Sequence, residues 1–376
     1  MKNTQMKHIN SNFVISILAI LSVLSYLVVE NTMSFVKEDY FDIKMKAAYR
    51  TKEALQYIKD VQYKNVVFID KLNDPNETGL IGQRYSQITT GSGSLPIKLS
   101  TTNPNISALI VQLLKDADVN SGDNVAVCMT GSYPALDIAT LIAIETIGAN
   151  PIVIPSTTSS SWGANNPDFT ILDMISALQK AGMLKLTYQY ASIGGNQDIG
   201  MSLSQKGRDL IKEAINRNNL KLLNKGDLQS NIQERLHIIS ESTKDKPIKV
   251  FINIGGGIAS VGGKENKNAI KAGLHKNLKL KQFPQKQGVM YEMVKQNIPV
   301  IHLANIENLL KKYGLPINPV PLPEIGKGKL FYTYKYNLLI VSLATALLFI
   351  AIGVFAYIDK KNNKLGDNII SDEIQI

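Results

Sequence analysis

The sequence predicts an α/β protein: a doubly wound, mostly parallel, Rossmann-like sheet in an extracytoplasmic domain flanked by two transmembrane helices. Three observations carry this. The stretch "NVAVCMTGSYPALDIATLIAIETIGANPIVIPS", Asn124 to Ser156, reads as an apolar run, a helix and a second apolar run. The same alternation continues as far as Gly314. Two long uncharged apolar stretches stand near the two ends of the chain.

The first of these, residues 13–29, is at the short end for a span. A signal peptide would share its basic start, Lys2 and Lys7. The apolar part is longer than a signal core, however, and "ENTMSF" offers no small-x-small cleavage site, so an uncleaved anchor is the better reading. The second, residues 338–358, has the length of a spanning helix, with Tyr332, Tyr334 and Tyr336 before it and Tyr357 at its far end, as interfacial belts require. Short basic flanks orient both spans. Lys2 and Lys7 assign the arm 1–12 to the cytoplasm; Lys360, Lys361 and Lys364 do the same for the tail 359–376, against Asp359, Asp367, Asp372 and Glu373. Residues 30–337 then lie outside, with a membrane-proximal helix expected over 30–65 and a proline-rich connector, "LPINPVPLPEIG", within 315–330.

Within this region each element has a local reason. "NPNISALIVQLLKDADV" sets Ile106, Leu109, Ile110, Leu113 and Leu114 on one helical face. "NVAVCMT" is a short, continuous apolar run of the buried-strand type. Pro134 suits the first turn of the next helix and Gly148 its C-terminal cap. "PIVIPS" closes a right-handed βαβ unit with parallel strands. Helices follow at "DFTILDMISALQKAGM", "LSQKGRDLIKEAINRNN" (Ser204 as cap) and "NIENLLKKYG"; strands are expected in "LTYQYASIGG", "IKVFINI" and "IPVIHLA". "TTGSGS", Thr89 to Ser94, reads as a flexible loop.

Composition narrows the chemistry. A chain of 376 residues with 44% apolar residues builds a packed core, and its single cysteine excludes an intrachain disulfide or a CxxC site. Cys128 lies in an apolar run and reads as a buried small hydrophobe. With four histidines and no HExxH, no metal site is expected, and no motif calls for a cofactor.

In an open parallel sheet, ligands sit beyond the carboxyl ends of the strands, often at a topological switch point. Four predicted loops fall there: Thr130-Gly131-Ser132-Tyr133; Ser156 and Thr157 through Ser161 to Trp162-Gly163; Ser192 to Gly194-Gly195; and Asn253 to Gly255-Gly256-Gly257. Their amides and hydroxyls suit an anion shelf. The plainer reading is sharp turns and helix caps. No loop matches a phosphate-binding motif, and around Ser132 a GxSxG elbow would need glycines where Thr130 and Pro134 stand. Ser132, Asp137 and His302 are weak catalytic candidates, His302 reading first as a core histidine. Trp162, the only tryptophan, either stacks on a ligand or packs beneath a long loop.

The net charge of +10 is uneven. The densest stretch holds Lys264, Lys267, Lys271, Lys276, Lys279, Lys281 and Lys286 against Glu265 alone. It is either a solvated face or a cationic surface for an anionic polymer or lipid headgroups. The external placement argues against nucleic acid.

The phrases "PNETGLIG", "STTNPNISALIVQLL", "GDNVAVCMTGSYPALDIATLIAIETIGANPIVIPS", "SSWGANNPDFTILDM", "ASIGGNQDIGMSLSQKGRDL" and "VFINIGGGIASVG" together resemble the poly-gamma-glutamate system protein family. The likeness spans most of the chain, both anchors included. It implies a bacterial membrane protein accessory to synthesis or export of poly-γ-glutamate, with an ATP-dependent amide ligase and a small multi-span protein as companions. It carries over no catalytic residues. The polymer would be a polyanion emerging outside the cell, so binding of the nascent chain or scaffolding of the synthase is expected. The alternative is an external hydrolase or transferase that acts on the polymer.

Overall fold

The computed structural model describes residues 11–64, 69–243 and 246–373. Lys2 and Lys7 lie outside the described residues, as do the side chains of Lys364, Asp367, Asp372 and Glu373. The chain divides into a larger unit, Glu38–Phe331, and a smaller one made of both chain ends, Met1–Lys37 with Tyr332–Ile376.

The larger unit opens with α1 (Phe41–Lys64), α2 (Leu95–Thr101) and α3 (Ile106–Asp116), then enters the sheet at β1 (Asn124–Thr130). Helix α4 (Pro134–Ile147) crosses to β2 (Asn150–Ser156); α5 (Ile171–Lys180) leads to β3 (Tyr190–Ser192); α6 (Gln205–Arg217) leads to β4 (Lys221–Leu223). Next come α7 (Leu228–Ser242), β5 (Ile248–Ile254), α8 (Ile258–Val261), α9 (Lys264–Ala269) and β6 (Gly273–His275). The unit ends with α10 (Val289–Lys295), β7 (Val300–Leu303) and α11 (Glu307–Lys312). The sheet order is β4-β3-β2-β1-β5-β7-β6, all parallel except the edge strand β6, which runs antiparallel to β7.

Every residue of β1 is buried, as a central parallel strand covered on both faces requires. One face packs on Leu228, Ile232 and Ile239 of α7 and on Met290 and Met293 of α10. On the other side α1, α3 and α4 pack against one another. Helix α4 is buried almost all round, because its apolar side chains leave no polar stripe. Gly148 ends it at φ +83°.

The helix expected over 30–65 differs in two ways. Ser34–Lys37 is a strand, where β-prone Phe35 and Val36 find a partner in the tyrosine-rich Tyr332–Lys335. The helix proper starts at Phe41 and does not stand free. Ala47, Ala48, Ala54, Leu55 and Ile58 form a narrow buried face against α3 and α4. The proline-rich connector is also docked within the larger unit: Asn105 Nδ2 donates to Glu324 O at 3.0 Å, and Asn318 N to Ser100 Oγ at 2.8 Å.

In the smaller unit, helices Ser11–Asn31 and Leu338–Glu373 lie alongside each other. Asn12–Asn31 and Leu338–Lys361 are long and apolar enough to cross a membrane. The second helix continues past the span to Glu373, through most of what reads in sequence as a tail. The two short strands pair antiparallel at one end of the helices, with the Phe35 and Tyr332 rings stacked at 4.8 Å. Tyr336 Oη donates to Glu30 Oε1 at 2.9 Å.

Candidate functional site at the carboxyl edge of the sheet

Strand order reverses at β1, with β2 on one side and β5 on the other, so a switch point lies between β1 and β5. Register then sets which polar residues meet. Thr130 is opposite Ser156, and Ser156 opposite Ser192, which makes a row of hydroxyl residues across three strands. One rung back, Cys128 is opposite Asn253, and Asn253 opposite His302.

The four sequence-predicted loops converge on this edge. Gly131 N donates to Ser156 O at 3.3 Å, Ala164 N to Gly131 O at 2.7 Å, and Thr157 N to Ser192 O at 2.9 Å. At φ +81°, Gly255 lies so close to Thr130 that a Cβ would sit 2.8 Å from its Oγ1. A fifth segment joins them. The supposedly flexible Thr89–Ser94 is docked on the β2 loop: Thr90 N donates to Ser159 O at 2.9 Å, and Ser161 N to Gly91 O at 2.8 Å.

Three polar clusters sit along the edge. The first is Arg235 of α7, 1% exposed, against an equally buried Asp198. Its Nη1 donates to Asp198 Oδ2 at 2.6 Å and its Nη2 to Ser192 Oγ at 2.7 Å and Ser156 Oγ at 3.2 Å. Asn231 adds a bond to Asp198 Oδ2 at 3.3 Å. The guanidinium thus locks the ends of β2 and β3 to the loop after β3.

The second is Asn253 with His302. Asn253 Nδ2 and His302 Nδ1 lie 3.0 Å apart, while His302 Nε2 and Asn253 Oδ1 are buried without a hydrogen-bond partner. Burial pushes His302 down to about 4, so at neutral pH it is an uncharged ring. It makes no hydrogen bond to Ser132, whose Oγ instead accepts from Ser160 N at 3.1 Å. Ser132 and His302, both weak catalytic candidates from the sequence, are thus not hydrogen-bonded to each other.

The third cluster was not visible in sequence as a site. Lys98 of α2 is 1% exposed. Its Nζ lies 2.9 Å from Ser160 Oγ, donates to Ser132 O, and stands 4.9 Å from the Tyr133 ring centroid. Burial lowers Lys98 to about 7, with the Asp137 charge opposing the shift. Asp137, fully buried in the first turn of α4, has no hydrogen-bond partner for either carboxylate oxygen. Burial pushes its pKa well above the usual carboxylate range, with Lys98 pulling it back. Asp137 is thus brought to the switch-point loop near Lys98, whose charge it feels without a hydrogen bond between them.

Trp162 lies beside these clusters at φ +67°, an uncommon and costly backbone conformation for a bulky residue. Its amide donates to Gln83 O at 2.9 Å. It lines an 840 Å³ cleft with Arg84, Asp70, Asn73, Asn166 and Asp168, a mixed-charge surface that selects neither sign.

The lysine-dense stretch separates into two groups. Lys264 and Lys267 lie on α9 and Lys271 just before β6, at the carboxyl edge. Because β6 runs antiparallel, from Gly273 opposite His302 to His275 opposite Val300, the chain then descends to the amino edge. There Lys276 pairs with Asp118 at 2.9 Å, and Lys279 and Lys281 follow. Lys267 lies directly over the switch-point loop: a Cβ on Gly256 would meet its Cδ at 3.0 Å.

Sequence signals for the missed residues exist. Lys98 is the only cation between Arg84 and Lys115, set in an apolar run. Arg235 shares the heptad spacing of Leu228, Ile232 and Ile239 and so occupies a core position. Among the described residues no His/Cys/Asp/Glu group suits a metal ion.

No family model matches the chain, and no curated protein matches it. Among solved structures it is similar to an archaeal alanine:glyoxylate aminotransferase at 13% identity and a TM-score of 0.15, over 78% of this chain and 57% of that one. The chain thus spans little more than half the length of that protein, and a TM-score this low carries no argument.

Two measurements check this site. Arg235→Met leaves Asp198 buried without its cation and should lower stability by about 3–5 kcal/mol; adding Asp198→Asn should recover much of the loss in chemical denaturation. An equal loss in the double variant would show that the charge is not what matters. His302 has a folded pKa below its unfolded value, so the unfolded chain takes up the proton first. Its contribution is complete above about pH 6.5 and declines by roughly 3 kcal/mol as pH falls toward 4. Thermal melts of His302→Gln should be flatter than wild type across that window and unchanged above it.

Proposed function

We propose that this chain is a membrane-anchored accessory protein of poly-γ-glutamate synthesis or export, with its α/β unit outside the membrane, where it binds the emerging anionic polymer. The family resemblance of the quoted phrases supplies the system. One structural observation supports the binding role: the stem of Lys267 lies on Gly256 at the switch-point loop, with Lys264 and Lys271 on the same edge. A cationic rim thereby adjoins a shelf of glycine and hydroxyl loops. Clustered ammonium groups attract a carboxylate-dense chain over a range set by salt. The lysines at the amino edge are less suited, since Lys276 is already paired with Asp118.

The antiparallel pairing of Ser34–Lys37 with Tyr332–Lys335 supports the two-pass arrangement, because it leaves the far ends of both apolar helices on the same side. Basic residues at those far ends favour the cytoplasm. The ATP-dependent ligase and the multi-span subunit would be its partners in the membrane, with the lipid bilayer as a further contact.

Two experiments test this reading. With the full chain in detergent, Lys264→Glu/Lys267→Glu/Lys271→Glu should weaken binding of polyglutamate at least about tenfold, and wild-type affinity should fall steeply with added salt. Lys276→Glu/Lys279→Glu/Lys281→Glu should change it far less; equal losses in both triples would mean that net charge alone is at work. Protease added to intact spheroplasts should cut within residues 38–331 and spare a tag at the C-terminus. The reverse pattern sinks the orientation.

A further inference from the structure

Lys98 and Ser160 present an arrangement that the polymer-binding role does not use. The lysine ammonium or amine is 1% exposed, whereas Ser160 is only half-buried. Between them Nζ and Oγ are 2.9 Å apart, within the reach a general base needs. A second Nζ hydrogen bond, to the Ser132 carbonyl, fixes the amine, and the Ser160 amide is held in turn by Ser132 Oγ. Glycine is required beside them: a Cβ on Gly93 would fall 2.7 Å from Lys98 Cε and 3.0 Å from Ser160 Oγ. The base is buried, and Ser160 belongs to a loop at the carboxyl edge, where ligands reach an open parallel sheet. A carboxylate that would simply pair with this lysine, Asp137, makes no hydrogen bond to it.

We propose that Ser160 and Lys98 form a serine–lysine acyl-transfer pair, Ser160 Oγ the nucleophile and Lys98 Nζ its general base, acting on an amide or ester carbonyl. The desolvation that lowers Lys98 to about 7 leaves a useful fraction of free amine at neutral pH. That amine can donate to Ser132 O while its lone pair accepts the Ser160 proton. In the first step Lys98 removes the Oγ proton as Oγ bonds to the carbonyl carbon. The C–N or C–O bond to the leaving group then breaks, and the Lys98 ammonium returns the proton to the departing amine or alcohol. In the second step water attacks the seryl ester and gives its proton to Lys98. The ester bond breaks, the proton passes to Ser160 Oγ, and a carboxylic acid is released. An amine in place of water gives transfer instead of hydrolysis.

This assignment does not rest on the polymer reading, and its test uses no polymer. The full-length protein in detergent is treated with a fluorophosphonate probe, and the adduct is mapped by peptide mass spectrometry. The expected result is one adduct, on Ser160, formed at a rate that rises with pH around a midpoint near 7. Ser160→Ala should abolish it. Lys98→Met should slow it at least about 100-fold. Because Lys98 is buried, its variant is also checked by thermal melt, while mapping on the wild-type chain needs no variant at all. An adduct on Ser132 or elsewhere, no adduct on folded wild-type protein, or a rate indifferent to pH between 5 and 9 overturns the proposal.

Discussion

Strand β1 is hydrogen-bonded on both edges and buried on both faces, and the arrangement of the larger unit follows from that constraint. A strand so enclosed can expose polar chemistry only where it ends. Its even positions, Ala126, Cys128 and Thr130, run from apolar core to hydroxyl within three rungs. Parallel neighbours repeat the gradient, from Ile154 to Ser156 in register and from Phe251 to Asn253 one step earlier. Polar groups therefore collect along one edge of the sheet, and the reversal of strand order beside β1 decides which loops can meet there.

The buried charges on that edge differ in how completely they are partnered, and this separates scaffold from chemistry. Arg235 and Asp198 satisfy one another through several short bonds, helped by Ser156, Ser192 and Asn231. Such a network fixes geometry and leaves little to react. Lys98 and Asp137 are also both buried, but no hydrogen bond joins them and the carboxylate has no partner. Each then shifts toward its neutral form, Lys98 downward and Asp137 upward. A group poised between protonation states beside a hydroxyl can move a proton; a saturated ion pair cannot do so cheaply. His302 is a third case, a buried ring kept neutral by desolvation and held by Asn253.

Much of this was legible in the sequence where periodicity and caps agree. Asn124–Thr130, Pro134–Gly148 and the following strand have the predicted types and nearly the predicted ends, because hydrophobic pattern, proline and glycine all point one way. The loops at strand ends were legible for the same reason. What escaped were contacts made by chain segments far apart. Lys98 and Ser160 are 62 positions apart, and nothing in either local stretch marks the other. Thr89–Ser94 has the composition of a loose linker, yet its backbone is tied to Ser159 and Ser161. Short strands at Lys221–Leu223 and Gly273–His275 carry too few residues to show a period.

Strand β6 explains why a cluster in sequence is not a cluster in space. A stretch rich in one charge looks like a single binding face when read linearly. Here the antiparallel edge strand carries the chain from the carboxyl edge to the opposite one within three residues. Lys264, Lys267 and Lys271 are left with the switch-point loop, and Lys276 meets Asp118 near the start of β1. Like charges are thereby divided between two edges, which reduces their mutual repulsion and leaves three cations where glycine-rich backbone is most accessible. A polyanion engaged by those three would run past the hydroxyl loops of the switch point, because Lys267 rests on Gly256 and Gly255 abuts Thr130. Electrostatic capture and any chemistry at the Ser132–Ser160 loops would then share one edge, with the sheet's strand order as the cause of both.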